Sequence, residues 1–350
     1  MVIIGRVRFF DATLRDGSHA VRHQLSGEMI AAYCEAMDDA GMYTIIVGHG
    51  NGLGASSLQV GLSALSDEEM LGMARRHLKH TKLGTYMIPG FGTIRDNVDP
   101  ALKIGVELFK IGCHCTEADV TRQHIEYICN KGREVYGVLM NCHMTSAEKI
   151  LEEAVKMQSY GAQGIILMDS AGASTPEMVK RIVSTLVDRL YVLVGFHPHN
   201  NLGLAVANAY FAIQEGARII DGTVRGFGAG AGNVQLEALS ALLSKEGYEL
   251  NQNLYRMMDV SEKIVKPIMP EDRALTDISI ISGMSGVFSS FKNQVLVAAE
   301  EFHVDPRDIF KELGKCKVVG GQEDMVIAIA EQLAHPVNSD MELYMLESLT

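Results

Sequence analysis

Two histidines two residues apart, His197 and His199, close an apolar run at 191–194 and lead into Asn200 and Asn201. In an extended strand the side chains alternate faces, so both imidazoles point the same way and can hold one cation together. Two imidazoles alone leave such a site incomplete. A carboxylate would give a His/His/acid set with open positions, the arrangement of a catalytic rather than a structural metal. Donors of that kind suit Mn2+, Zn2+, Fe2+ or Co2+ better than Ca2+. The best candidate carboxylate is Asp16, in the stretch Asp11-Ala12-Thr13-Leu14-Arg15-Asp16-Gly17-Ser18-His19. Arg15 beside it needs an anionic partner. That partner is either a neighbouring acid such as Glu117 or Asp169, or an oxyanion developing on a substrate, which a planar permanent charge suits. His19 is a candidate general base, because imidazole titrates near neutrality. Asn200 and Asn201 are candidates to orient the two rings.

About 180 residues separate Asp16 from the histidine pair, so only a particular fold can join them. Strand-like runs at 7–11, 43–47, 83–88, 108–111, 134–140, 164–168, 191–194 and 218–220 alternate with amphipathic patterns such as 26–40, 67–80, 147–160 and 176–189. Eight strands, each followed by a helix, predict a (β/α)8 TIM barrel, whose strand C-termini share one rim. Polar clusters follow each strand, and strands one and seven would be separated only by strand eight. A doubly wound open sheet is the rival, weakened because no G-x-G-x-x-G follows the first strand. Beyond 249 the alternation stops, and helical patterns follow at 255–265, 284–302, 305–313 and 323–333. The expected division is a catalytic barrel over 1–250, a helical C-terminal domain over 251–340 and a loosely held tail over 341–350.

Composition narrows the partners. The formal net charge is -12 over 350 residues and no long Lys/Arg block appears, which argues against nucleic acid or an anionic membrane as the main partner. Apolar stretches are too short to span a bilayer. Six cysteines without a C-x-x-C pair, and an N-terminus without a signal sequence, fit a reducing cytoplasm. Cys113-His114-Cys115 could bind a soft metal, but reads better as small buried residues beside one functional histidine. The glycine-rich run 226–232 could cradle phosphate or form a tight loop that leaves room for substrate.

Longer stretches carry a resemblance. Asp11 to His19 with the histidine pair resembles the DRE-type metal-dependent lyase superfamily, which includes the isopropylmalate and homocitrate synthases and hydroxymethylglutaryl-CoA lyase. LRDGSHAVRHQ from Leu14, HCTEAD from His114, GAGAGN from Gly228 and VGGQEDM from Val319 narrow it to the 4-hydroxy-2-oxovalerate aldolase family, the pyruvate-specific class II aldolases of meta-cleavage pathways. The resemblance implies a divalent metal, Mn2+ first with Co2+, Zn2+ or Mg2+ as alternatives, held by Asp16, His197 and His199. It implies that the metal chelates the keto oxygen and carboxylate of a 2-oxo acid. Arg15 would stabilise a pyruvate enolate, and His19 would take the C4 hydroxyl proton. Ser170 and Phe288 are the further candidate substrate contacts. The resemblance also implies an oligomer and an acylating aldehyde dehydrogenase partner, docked with help from the C-terminal domain. Departures lie on the aldehyde side. Phe288 stands where the family has tyrosine, and Asn51 where it has aspartate. Pro198 and Asn200 alter the spelling around the histidines, and Tyr86 and Met87 replace small aliphatic residues that help to shape the pocket. Two alternatives accompany this reading: a Claisen-type acyl-CoA synthase or lyase on the same metal site, and a non-catalytic partner subunit of an aldehyde dehydrogenase.

Overall fold

The computed structural model describes residues 6–269 and 275–335. Eight parallel strands close on themselves in sequence order: β1 Arg8–Asp11, β2 Thr44–Ile46, β3 Lys82–Met87, β4 Leu108–His114, β5 Glu134–Met140, β6 Gly164–Asp169, β7 Leu193–Pro198 and β8 Ile219–Gly222. β1 pairs with β8, Phe10 opposite Asp221, which closes the barrel and excludes the open sheet. Helices between the strands cover the outside, among them α1 Gly27–Asp39 and α2 Asp67–His77. Ser26 caps the first by accepting from the Met29 N–H. Ser66 and Glu69 form a reciprocal capping box on the second, satisfying donors that a helix start leaves unpaired.

Alternation along each strand sorts the side chains into two layers. Phe9, Ile45, Leu83, Met87 and Phe109 face outward into the apolar layer under the helices. Phe10, Ile46, Tyr86, Leu108 and Ile166 face the lumen. Met87 is therefore packed away from the barrel mouth, and of the two unusual β3 residues only Tyr86 faces inward. β7 begins and ends later than the apolar run at 191–194 suggests, because Gly195, Phe196 and His197 continue the ladder onto β6.

The outer core runs through Met257, Val260 and Val265 to Met269. A second core, from Ile278 to Ala330, belongs to the C-terminal helices Asp277–Ser285, Lys292–Phe302, Pro306–Lys315 and Asp324–Ala334. The helix expected over 284–302 is two helices. Gly286 takes the left-handed conformation, φ +67°, and ends the first. Phe288 consequently lies in the connection rather than on a helix. The tail expected at 341–350 lies outside the described residues. No helix among the described residues is long and apolar enough to cross a membrane.

Candidate active site

After β1 the chain turns at once, with the Arg15 and Asp16 N–H groups both donating to the Ala12 carbonyl. Thr13 Oγ1 accepts the Val224 N–H at 2.9 Å and ties this turn to the loop after β8. On the other side, the Asn200 N–H donates to Gly232 O at 2.8 Å and the Val234 N–H to Pro198 O at 3.0 Å. The loops after β1, β7 and β8 are thus locked together. They bring ligand atoms of Asp16, His197 and His199 within 4.8 Å of one another, all three buried. Among the described residues this is the group of His, Cys, Asp and Glu side chains able to close on one ion. The two Nε2 atoms face each other at 3.3 Å. Two buried imidazole nitrogens aimed at one point beside a carboxylate fit a divalent cation between them.

The loop after β8 wraps the Asp16 carboxylate instead of forming a phosphate cradle. Asn233 Nδ2 and the Ala229 N–H both donate to Asp16 Oδ2. Gly228 allows this, since a Cβ there would lie 2.5 Å from the same oxygen. Burial alone would raise the Asp16 pKa. The charges of Arg15 and the nearby histidines outweigh it and hold the carboxyl well below its usual range.

Arg15 Nη1 donates to Asp16 Oδ1 at 2.8 Å and to Gly50 O at 3.2 Å. Its partners are therefore neither Glu117 nor Asp169. Nε and Nη2 are buried without a partner. The guanidinium is held over the Tyr86 ring, 4.8 Å from its centre. Buried donors left unsatisfied are what an anionic substrate group would fill.

His19 is partly buried, its ring packed against Gly50. Burial lowers its pKa, so the ring is neutral at pH 7 and can accept a proton. His199 is likewise lowered by burial, to about 3, which keeps it neutral and free to bind metal. Behind His19, the His23 and His49 rings stack at 3.6 Å.

Asn200 and Asn201 play other parts than ring orientation. Asn200 Oδ1 accepts from the Ala205 N–H, and Asn201 Nδ2 donates to Ser282 Oγ at 3.2 Å, linking the β7 loop to the C-terminal helices. The His197 ring instead faces Asp221, with Nδ1 3.2 Å from Oδ2. Asp221 and its partner Lys110 carry no spacing signal in the sequence that would single them out, whereas Asn233 closes the GAGAGN stretch. Cys113 and Cys115 are buried, and the Cys115 thiol donates to the Asn141 carbonyl.

A cavity of about 250 Å³ opens between the rim and the C-terminal helices. Ser170 and Phe288 both line it, with Asn51, Ile88, Phe91, Met140 and Val319. Ser170 Oγ also accepts the Asn141 N–H at 3.2 Å.

A family profile described as HMGL-like matches residues 6–264, and one described as a DmpG-like communication domain matches residues 274–335. The chain is 50% identical over 337 residues, 96% of its length and 98% of the relative's, to a 4-hydroxy-2-oxovalerate aldolase of Pectobacterium atrosepticum. It is 49% identical over 323 residues, 92% of its length and 95% of the relative's, to one of Spirochaeta aurantia. Among solved structures, the carboxyl transferase domain of Rhizobium etli pyruvate carboxylase superposes with a TM-score of 0.78 at 15% identity, over 96% of this chain and 62% of that one. The HMG-CoA lyase of Brucella melitensis gives 0.67 at 15% identity, over 76% and 99%. At such identities the two structures show the shared fold.

Proposed function

The chain belongs to the HMGL-like family and, within it, to the 4-hydroxy-2-oxovalerate aldolases, and from that premise we propose that it cleaves a 4-hydroxy-2-oxo acid to pyruvate and a short aldehyde, or runs the reverse. The observation that carries this reading is the convergence on one rim of Asp16, His197 and His199 with the unpartnered nitrogens of Arg15.

Asp16, His197 and His199 would hold the metal, with Mn2+ the first choice. When bound, it supplies Lewis acidity that withdraws electrons from the substrate carbonyl, so no Schiff-base lysine is needed. Lys110, a buried lysine in the barrel lumen, is engaged by Asp221. Neutral His19 accepts the C4 hydroxyl proton as the C3–C4 bond breaks and C4 becomes an aldehyde carbonyl. The electron pair stays on the three-carbon fragment as the pyruvate enolate, whose charge Arg15 Nε and Nη2 offset. Protonation at C3 then gives pyruvate.

Phe288 and Ser170 are assigned to the aldehyde end, where the cavity is largely apolar. The family tyrosine's hydroxyl is missing at 288, so this end selects more by shape than by hydrogen bonding. Full-length aldolase relatives favour this chemistry over the Claisen-type alternative.

The C-terminal helices are assigned to docking an acylating aldehyde dehydrogenase. Support comes from the communication-domain match and from exposed Ile280, Met284, Val297 and Ile327. The two apolar cores suggest that the barrel unit runs to about Met269 and the helical unit starts near Ile278. Free cysteines throughout fit the cytoplasm.

The test is incubation of metal-reconstituted protein with 4-hydroxy-2-oxovalerate and a panel of longer homologues, following pyruvate. Pyruvate release that depends on metal and is lost in Arg15→Ala is expected. Absence of metal-dependent release from every member of the panel refutes the reading.

A further inference from the structure

Beneath the candidate metal site the barrel lumen holds a pair of charges that the proposed reaction does not use. Lys110 projects inward from β4 and Asp221 from β8, strands on opposite sides of the closed barrel, and the ammonium reaches across to donate to Asp221 Oδ2. Both side chains are fully buried. The lumen around them is filled by apolar and aromatic side chains, Phe10, Tyr86 and Leu108 among them. Taking two charges out of water is costly, and a buried ion pair is often no better for stability than apolar residues of similar volume. Stability alone is a poor account of this pair.

Geometry supplies a better one. The same Asp221 Oδ2 lies 3.2 Å from Nδ1 of His197, which is itself fully buried. The other ring nitrogen, Nε2, is the one that faces His199. A neutral imidazole carries one N–H and one lone pair, and the two nitrogens cannot both be lone pairs. For Nε2 to bind a cation the proton must sit on Nδ1, and a buried N–H needs an acceptor. Asp221 provides it. Neither histidine Nδ1 closes a hydrogen bond in this arrangement, but that of His197 has a carboxylate oxygen 3.2 Å away.

We propose that Asp221, held in place by Lys110, is a positioning residue that fixes His197 as the Nδ1–H tautomer and aims its Nε2 lone pair at the metal. The inference rests on the assignment of Asp16, His197 and His199 as metal ligands.

The experiment measures Mn2+ affinity by calorimetry on metal-stripped, full-length protein near neutral pH. Melting temperatures and nitrogen-15 spectra of the histidine rings are recorded on the metal-free forms. Lys110→Met with Asp221→Leu removes both charges and the acceptor at similar volume. It is expected to fold and to bind Mn2+ about 10 to 100-fold more weakly. Its His197 ring should show a mixture of tautomers, where the parent shows Nδ1–H alone. Lys110→Met with Asp221→Asn leaves an amide oxygen free to accept from Nδ1–H, and most of the affinity and the single tautomer should return. In Asp221→Asn alone the retained ammonium competes for that oxygen, so this variant should bind more weakly than the Met/Asn pair. Parent-like affinity and an unchanged His197 spectrum in the Met/Leu protein overturn the proposal. Should that protein not fold, equal affinities for the parent, Asp221→Asn and the Met/Asn pair overturn it as well. A parent that binds neither Mn2+, Co2+ nor Zn2+ refutes instead the ligand assignment beneath it.

Discussion

Gly50→Ala is a one-methyl perturbation whose consequence can be worked from distances. The added Cβ would stand 2.3 Å from His19 Nε2 and 2.5 Å from both carbons beside it. Ordinary contact begins at 3.4 Å, so the imidazole must retreat by about 1 Å, a misplacement that can cost about 100-fold in rate. Gly50 itself has no positive φ, so alanine brings no backbone strain and the cost falls on the ring. Asp16, His197 and His199 are not displaced by the methyl, and metal affinity should stay with the parent. The assay is steady-state cleavage read by a coupled lactate dehydrogenase, with Mn2+ titration and thermal melting on the same preparation. A fall of about 100-fold in kcat with unchanged metal affinity and melting is expected. A kcat equal to the parent's would refute the reasoning that His19 acts as the base from its present position against Gly50.

Chelation should abolish turnover and added Mn2+ restore it. A metal bound only by the folded state should also raise stability, by about 2.7 kcal/mol at a hundred times its dissociation constant, which thermal melting against metal concentration checks. Phe288→Tyr should return a hydrogen bond worth about 1 kcal/mol and raise kcat/KM for 4-hydroxy-2-oxovalerate about fivefold; no gain with any homologue would place residue 288 away from the reacting oxygen. Asp11, buried at the end of β1, has its carboxyl pKa pushed up to about 6 by burial. The folded state therefore binds that proton more tightly than the unfolded chain, and the ionised group is unfavourable above pH 6. Denaturant titrations should show the parent gaining stability relative to Asp11→Asn as pH falls from 7 to 5, by about 1.4 kcal/mol. An equal pH dependence in both proteins would contradict the shift.

Periodicity and residue type alone determined much of this protein. Eight alternations of strand and helix demand a layered α/β architecture, and strand parity places His197 and His199 on one face, because a strand has only two faces. Parity also puts Tyr86 in the lumen and Met87 outside it, although both had been candidates for the pocket. Element ends were less legible. A helical pattern through 284–302 hides the break at Gly286, since periodicity reports which residues could share a face. The second core decides where the chain must turn to bury Val287 and Phe291. Barrel closure decided the rest. It set Asp16 beside the histidines, wrapped the glycine-rich run around a carboxylate, and carried Lys110 across to Asp221 from the opposite wall. A lone lysine in one strand and a lone aspartate in another have no spacing that relates them, because the distance between them is fixed only when the sheet returns to its first strand.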